Sequence, residues 1–179
     1  MLAEKDLIIR IHDGDLGAFR QLVSEHEKLV LYMISKILKN EDDIKDVSQD
    51  VFIKVYKNLK KFNFESKLST WIAQIAYTTA LNFYKKQKKN QTEILTEDIK
   101  PFTNITPEAI SIKKSDSEFL QAQIDQLPVI YKTVLTLFHI NECSYQEIEE
   151  ITRLPAGTIK SHLFRARKIL KERLEKYLS

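Results

Sequence analysis

One cysteine, Cys143, stands in 179 residues, so no internal disulfide can form and no multi-cysteine zinc site can be built. A lone thiol fits a reducing compartment and is most simply a small buried or half-buried side chain. Three glycines and four prolines are too few for an all-β protein, which needs many tight turns, and composition therefore leans towards helices. No uncharged apolar run approaches the roughly 20 residues needed to span a membrane. The stretch Met1 to Arg10 carries acids early and has no long apolar core, unlike a signal peptide. A soluble, cytoplasmic protein is expected, not itself a membrane protein. Enzymatic chemistry also lacks support. His12, His26, His139 and His162 are scattered without metal-ligand spacing, no glycine-rich phosphate loop is present, and no nucleophile lies in a recognisable motif. No catalytic group, metal or cofactor is expected.

What is present is unevenly placed charge. Twenty-eight basic and 25 acidic side chains nearly cancel, to +3. Acids nevertheless gather between Glu41 and Asp50, whereas Lys85 to Lys89 and Lys160 to Lys176 are strongly basic. Local positive fields attract polyanions even when the whole molecule is close to neutral.

Apolar periodicity divides the chain. From Asp15 to Lys39, Leu16, Phe19, Leu22, Val23, Leu29, Val30, Met33, Ile34, Ile37 and Leu38 recur at helical spacing and predict a long helix. A shorter helix precedes it around Glu4 to Ile11, ended by Asp13-Gly14-Asp15. Ile44, Val47, Val51 and Val55 predict a second strong helix from Asp42 to Lys57. Phe62 to Lys67 breaks the period, and Ser69 or Thr70 can cap a third helix with Trp71, Ile72, Ile75, Thr79 and Phe83 inward. Between Asn90 and about Asp116 the character changes to Pro, Thr and Asn with scattered apolar residues. This reads as a mobile linker whose reach, at about 3.3 Å per extended residue, is on the order of 80 Å. Helical periodicity then returns: Phe119, Leu120 and Ile124 lead to Pro128 and a helix from Val129 to Ile140. Ser144-Tyr145-Gln146-Glu147 is a capping box opening a short helix through Ile151. Thr152-Arg153-Leu154 is a turn, and a final helix runs from about Pro155 to Tyr177. A short helix, a tight turn and a longer basic helix make a helix-turn-helix. The expected fold is all-α: two small helical domains, 1–89 and 118–179, joined by a flexible linker, 90–117.

Three helix faces have chemistry to offer. In the last helix Ile159, Leu163, Ala166 and Leu170 follow i, i+4, i+7, i+11 and must face a core, which turns Ser161, Phe164, Arg165 and Lys168 outward, flanked by Thr158, Lys160 and His162. Arginine and lysine donors with small hydroxyls near a helix N-terminus suit the major groove of duplex DNA. In the third helix Tyr77, Leu81, Tyr84 and Lys88 lie opposite the predicted core stripe, with Lys85, Lys86 and Lys89 nearby. Aromatics interleaved with lysines suit unstacked bases and their phosphates. In the second helix Asp46, Gln49, Asp50 and Ile53 form an acidic face with one aliphatic, which repels DNA and suits a basic protein partner. For each face the bland alternative is solvated charge or ordinary packing against another helix.

Taken together, these residues resemble an extracytoplasmic-function sigma factor of the sigma-70 family, the minimal kind with only the second and fourth conserved regions. The resemblance rests on Asp15-Leu16-Gly17-Ala18-Phe19, the run Asp42 to Phe52, Ser69-Thr70-Trp71-Ile72-Ala73-Gln74-Ile75-Ala76, Leu127-Pro128, Ser144-Tyr145-Gln146-Glu147-Ile148 and the run Gly157 to Arg167. It implies that Asp46, Gln49, Asp50 and Ile53 bind the clamp helices of the core RNA polymerase β′ subunit, with a further contact to the β flap. It implies that the loop Phe62 to Ser69 and the helix after Trp71 melt and read the −10 promoter element, through Phe64, Ser66, Lys67, Ser69, Trp71, Tyr77, Thr78, Leu81, Asn82, Tyr84, Lys85 and Lys88. The final helix would read −35 duplex through Thr158, Lys160, Ser161, His162, Phe164, Arg165 and Lys168. The family usually has Asn where Thr78 stands and often Arg where His162 stands, which bears on the promoter sequence rather than the activity class. Members are often held inactive by an anti-sigma partner. The residues also leave open a polymerase-independent helix-turn-helix regulator, and a helical adaptor that binds only protein and shows no salt-dependent DNA affinity.

Overall fold

The computed structural model describes residues 2–94 and 116–178, and all regular structure among them is helical. The N-terminal group comprises α1 (Leu2–His12), α2 (Leu16–Ser35), α3 (Glu41–Asn58), a 3-10 turn (Leu59–Lys61) and α4 (Leu68–Ile94); the C-terminal group comprises α5 (Asp116–Asp125), α6 (Val129–His139), α7 (Tyr145–Thr152) and α8 (Ala156–Leu178). Most of the expected linker lies outside the described residues; α4 continues into its first five positions.

Local chemistry sets the helix ends. Gly14 adopts φ 89°, a left-handed conformation that only glycine takes without a steric cost. The chain then re-enters helix at Asp15, whose carboxylate accepts from the Ala18 N–H at 3.0 Å and from the Arg10 guanidinium at 2.7 and 3.0 Å. The Ala18 N–H first, and Arg10 after it, hold this carboxyl below its usual range. Asn40 caps α3 by accepting from Asp42 and Asp43 N–H groups, and Glu41, Asp42 and Asp43 in the first turn complement the helix dipole. α2 stops at Ser35, short of the expected Lys39, because the cap N–H of Lys36 bonds Ile34 in a tightened last turn. Ile37 and Leu38 are still buried, by the turn itself.

Val47, Val51 and Val55 of α3 join Leu22, Val30 and Ile34 of α2 and Leu68 and Ile72 of α4 in the N-terminal core. In the C-terminal group α6 carries Val134, Leu135 and Leu137 inward, and α8 supplies the predicted stripe Ile159, Leu163, Ala166 and Leu170, all buried. Ser144 and Glu147 form the capping box in both directions, and Arg153 at φ 60° closes α7 with its N–H on the Glu149 carbonyl.

One core position is a lysine. The Lys132 side chain is 4% exposed, and its Nζ lies 3.7 Å from the Asp125 carboxylate. The same carboxylate oxygen lies 3.6 Å from Nζ of Lys39, which follows α2 in the N-terminal group. Burial, and then the charge of Lys39, push the Lys132 ammonium down, against the opposing pull of Asp125. The two groups also meet through helix packing, since α7 lies against α4.

Candidate nucleic-acid interface

The helix-turn-helix is α7, the turn Arg153 to Pro155, and α8, whose first turn is closed by Thr158 and Ile159 N–H groups donating to the Pro155 carbonyl. With the apolar stripe fixed inward, Lys160, Ser161, Phe164, Arg165 and Lys168 are exposed, Phe164 at 68%, while Thr158 and His162 are half-buried. Lys160 lies 5.5 Å from the Tyr145 ring centroid, which holds its stem alongside α7. His162 packs on Tyr131 with ring centroids 5.2 Å apart. Burial, then the charge of Arg165, lower its pKa and favour the neutral imidazole. The expected reading face is therefore assembled on one side of one helix and open to solvent.

The second region is built around the loop before α4. Phe62 is buried and packs at a tilt against both Phe64 and Trp71, with ring centroids 4.9 and 5.3 Å away. Phe64, at φ 61°, turns outward with Lys5 over its ring at 5.2 Å. Trp71 is half-buried between two clefts. One, of about 270 Å³, is lined by Asn63, Glu65, Ser66, Thr70, Trp71 and Gln74 and is closed on its far side by Glu150 and Arg153 from the end of α7. The other, of about 330 Å³, is lined by Lys54, Asn58, Lys61, Trp71, Ile75, Thr78, Thr79 and Asn82. Ser66 and Ser69 are half-buried beside the loop, and Lys67 donates to Glu147 at 2.9 Å. Thr78, whose hydroxyl donates to the Gln74 carbonyl, and Asn82, Lys85 and Lys88 are exposed; Leu81 and Tyr84 are half-buried, with Lys88 over the Tyr84 ring.

Tyr77 departs from the expectation. Helical phase placed it outward opposite the core stripe, yet it is 3% exposed, and the burial raises its phenol pKa. Conversely Trp71, Ile75 and Phe83, expected inward, are only half-buried. The reason is that α4 is packed from two sides, by α2 and α3 and by α7, so it has no single inner stripe. Ser69 and Thr70, expected to cap this helix, lie within its first turn, since α4 begins at Leu68; Thr70 and Gln74, not singled out as site residues in the sequence, line the first cleft.

The third face lies on α3. Asp46, Gln49, Asp50 and Ile53 are all exposed, Ile53 at 51%. The apolar part is wider than the sequence indicated. Tyr56 of α3 is exposed and meets Phe19 of α2 edge-on at 4.9 Å, and Leu16, one turn before Phe19, is 60% exposed. Tyr56 continues the face at i+3 from Ile53 and was legible; Leu16 belongs to a different helix and was not.

Among the described residues, no cluster of His, Cys, Asp and Glu is arranged to hold a metal ion, and no helix is long and apolar enough to cross a membrane. Cys143 is half-buried, and burial followed by the Glu147 carboxylate pushes its thiol pKa up.

Residues 22–90 match the sigma-70 region 2 family and residues 118–170 match the sigma-70 region 4 family. Both regions in this order define a sigma factor of RNA polymerase. The ECF RNA polymerase sigma-E factor of Haemophilus influenzae is 30% identical over 97% of this chain and 96% of its own length. The ECF RNA polymerase sigma factor SigW of Bacillus subtilis is 30% identical over 95% of this chain and 96% of its own. The chain belongs to the extracytoplasmic-function sigma factors of the sigma-70 family: it is not an enzyme, and it directs promoter recognition by RNA polymerase through regions 2 and 4. Membership resolves the choice the residues alone left open, in favour of the sigma factor over a stand-alone regulator or a protein-only adaptor. In fold the chain is similar to CnrH, solved in complex with the cytosolic domain of CnrY, with a TM-score of 0.67 and 20% identity over 97% of this chain and 98% of that one. It is also similar to the sigma factor RpoE of Bartonella quintana, solved with the anti-sigma factor NepR, with a TM-score of 0.64 and 22% identity over 88% of this chain and 96% of that one.

Proposed function

We propose that the three faces divide the work of initiation among named residues. Residues 1–89 form the polymerase- and −10-binding unit, 118–179 the −35-binding unit, and 90–117 the connection between them. Asp46, Gln49, Asp50 and Ile53, widened by Tyr56 and Leu16, dock on the clamp helices of the polymerase β′ subunit, where an acid rim around an apolar centre favours a basic partner with an apolar contact of its own. The C-terminal unit makes a further contact with the β flap. Phe64, Ser66, Lys67, Ser69, Trp71, Thr78, Leu81, Asn82, Tyr84, Lys85 and Lys88 capture flipped bases and phosphates of the −10 strand, while the buried Tyr77 supports the helix from within. Thr158, Lys160, Ser161, His162, Phe164, Arg165 and Lys168 read the −35 duplex in the major groove. The protein works in the cytoplasm, and an anti-sigma factor holds it in check; the structures of CnrH and RpoE, each solved with a partner, support that expectation.

A single observation carries the assignment. One chain presents an acidic, apolar-studded face on α3 and two separate cation-rich faces on α4 and α8, one aromatic and one open. A duplex-only regulator has no use for the first two. The test is co-elution of the full-length protein with core RNA polymerase on a sizing column, beside Asp50→Lys and Ile53→Asp. Binding by the parent that both variants lose is the expected result. A parent that does not co-elute returns the choice to an operator-binding regulator.

A further inference from the structure

We propose that His162 serves the −35 reader as a neutral hydrogen-bond donor, giving its Nε2–H to a phosphate oxygen at the wall of the major groove, with Tyr131 as the positioning residue that holds it in this form. The inference rests on the −35 assignment of α8 given above and defines what one of its residues does.

Position supplies the first support. The buried stripe Ile159, Leu163, Ala166 and Leu170 fixes the rotation of α8, and Ser161, Phe164, Arg165 and Lys168 stand exposed opposite it. His162 is half-buried on the flank between these two faces, where its ring packs at a tilt against Tyr131 of α6, with centroids 5.2 Å apart. A helix seated in the major groove turns its outermost side chains to the base edges and its flanks to the phosphate walls. A backbone phosphate is therefore the acceptor that passes closest to this position.

The ring nitrogens supply the second. Nδ1 of His162 is buried and has no hydrogen-bond partner. An imidazolium carries an N–H on both nitrogens, so charging this ring would bury a donor with nothing to receive it. The neutral tautomer with its proton on Nδ1 meets the same objection. What remains is the neutral ring with the proton on Nε2, the nitrogen left to the solvent side. Burial, and after it the guanidinium of Arg165 one turn further on, disfavour the charged ring as well. Tyr131 is the aromatic ring packed against the imidazole. Removing it returns water to His162, and with water the ordinary mixture of tautomers.

The consequence is a division of roles on one helix. Lys160, Arg165 and Lys168 bring charge, which acts on every duplex and fades with salt. His162 brings a directional contact that releases no counterion.

The test has two arms. In the first, nitrogen magnetic resonance spectra of the histidines are recorded on the full-length free chain near neutral pH, and His162 is identified by its loss in His162→Gln. The parent should show the Nε2–H tautomer. Tyr131→Phe should keep it, and Tyr131→Ala should shift the pattern towards that of a hydrated imidazole. A protonated ring or an Nδ1–H tautomer in the parent overturns the proposal. In the second arm, the complex of the full-length protein with core RNA polymerase selects a −35 duplex from a pool of random sequence, and its affinity is followed against salt. His162→Ala should bind about three- to ten-fold more weakly at every salt concentration, the range of one neutral hydrogen bond, with the slope of log affinity against log salt unchanged. His162→Gln, which keeps a neutral donor at similar reach, should recover part of the loss, and His162→Arg should steepen the slope by about 1. A slope that drops by about 1 in His162→Ala would mean that the ring binds as a cation, and overturns the proposal. A relaxed preference at one base pair in a pool selected by His162→Ala would place the acceptor on a base edge and overturn the phosphate contact. If the parent forms no complex with polymerase, the −35 assignment falls and takes the proposal with it, whichever tautomer the spectra show; if the complex forms and selects a duplex, any failure belongs to His162 alone.

Discussion

Two helices of this protein are proposed to contact nucleic acid, and they are presented in opposite ways. α8 has one buried stripe, and the side chains opposite it stand in solvent. α4 is longer and richer in aromatics, but it is packed from two sides, so Tyr77 disappears while Thr78 and Asn82 remain exposed. The contrast teaches that helical phase tells which residues share a face, and only tertiary packing tells whether that face is available.

The sharpest way to break the contrast is to remove the seat of α7. Leu163 is 1% exposed at the centre of the C-terminal core, and Leu163→Ala should cost about 3 kcal/mol, within the usual range for a buried leucine. Duplex binding should fall with it while the α4 cleft opens. Trp71, the only tryptophan in the sequence, lines that cleft, so its fluorescence should shift towards that of a hydrated indole in the same urea titration that reports the stability loss. Unchanged Trp71 emission would mean that α7 does not cover the cleft.

Arg165→Ala comes next and should affect one reader alone. Loss of a base-contacting arginine costs about 1–3 kcal/mol, so affinity for a −35 duplex should drop on the order of ten-fold or more with Trp71 emission unaltered. Lys160→Ala should weaken duplex binding less and reduce the slope of log affinity against log salt by about 1. Equal duplex affinity in variant and parent would remove that residue from the reading face. Ser144→Ala deletes the hydroxyl half of the capping box and should lower C-terminal stability by about 1 kcal/mol, read as a shifted urea midpoint.

The smallest effect is acid dependence of the contact between the groups. Glu147 is held at about 2 rather than 4.5, first by the hydrogen bond from Lys67 and then by the Ser144 N–H. A carboxyl lowered on folding contributes fully above its ordinary pKa and loses that contribution as pH falls through the lowered one. Parent and Lys67→Ala should therefore differ in Trp71 emission near neutral pH and converge between 4.5 and 2. The Lys67 side chain is 74% exposed, so solvent screening keeps the difference small. A difference that persists below pH 2 would assign the contact to packing alone.

Much of this architecture was legible in the sequence because it is written locally. The α8 stripe, the Ser144 capping box, the Gly14 turn and the acidic α3 face each depend on residues within a few turns of one another, and each is found where expected. What escaped depends on distant partners. Tyr77 is buried because α4 is packed by α2, α3 and α7, none of which its own helical phase announces. The apolar surface beside Ile53 extends through Leu16 from a helix that meets α3 only in the folded state. The apolar spacing through Ile37 and Leu38 suggested more helix, although a turn buries those side chains equally well. Lys132 gave no sign that its ammonium would be enclosed, since the carboxylate it approaches lies on another helix.

That enclosed ammonium has a consequence for reversibility. Asp125 divides one carboxylate between Lys132 within its own group and Lys39 across the boundary. Were the groups to part, Asp125 would be left to Lys132 alone, whose ammonium would lose the opposing charge of the already exposed Lys39. Separation thus improves the internal electrostatics of the half that is set free and refunds part of what the broken contact had supplied.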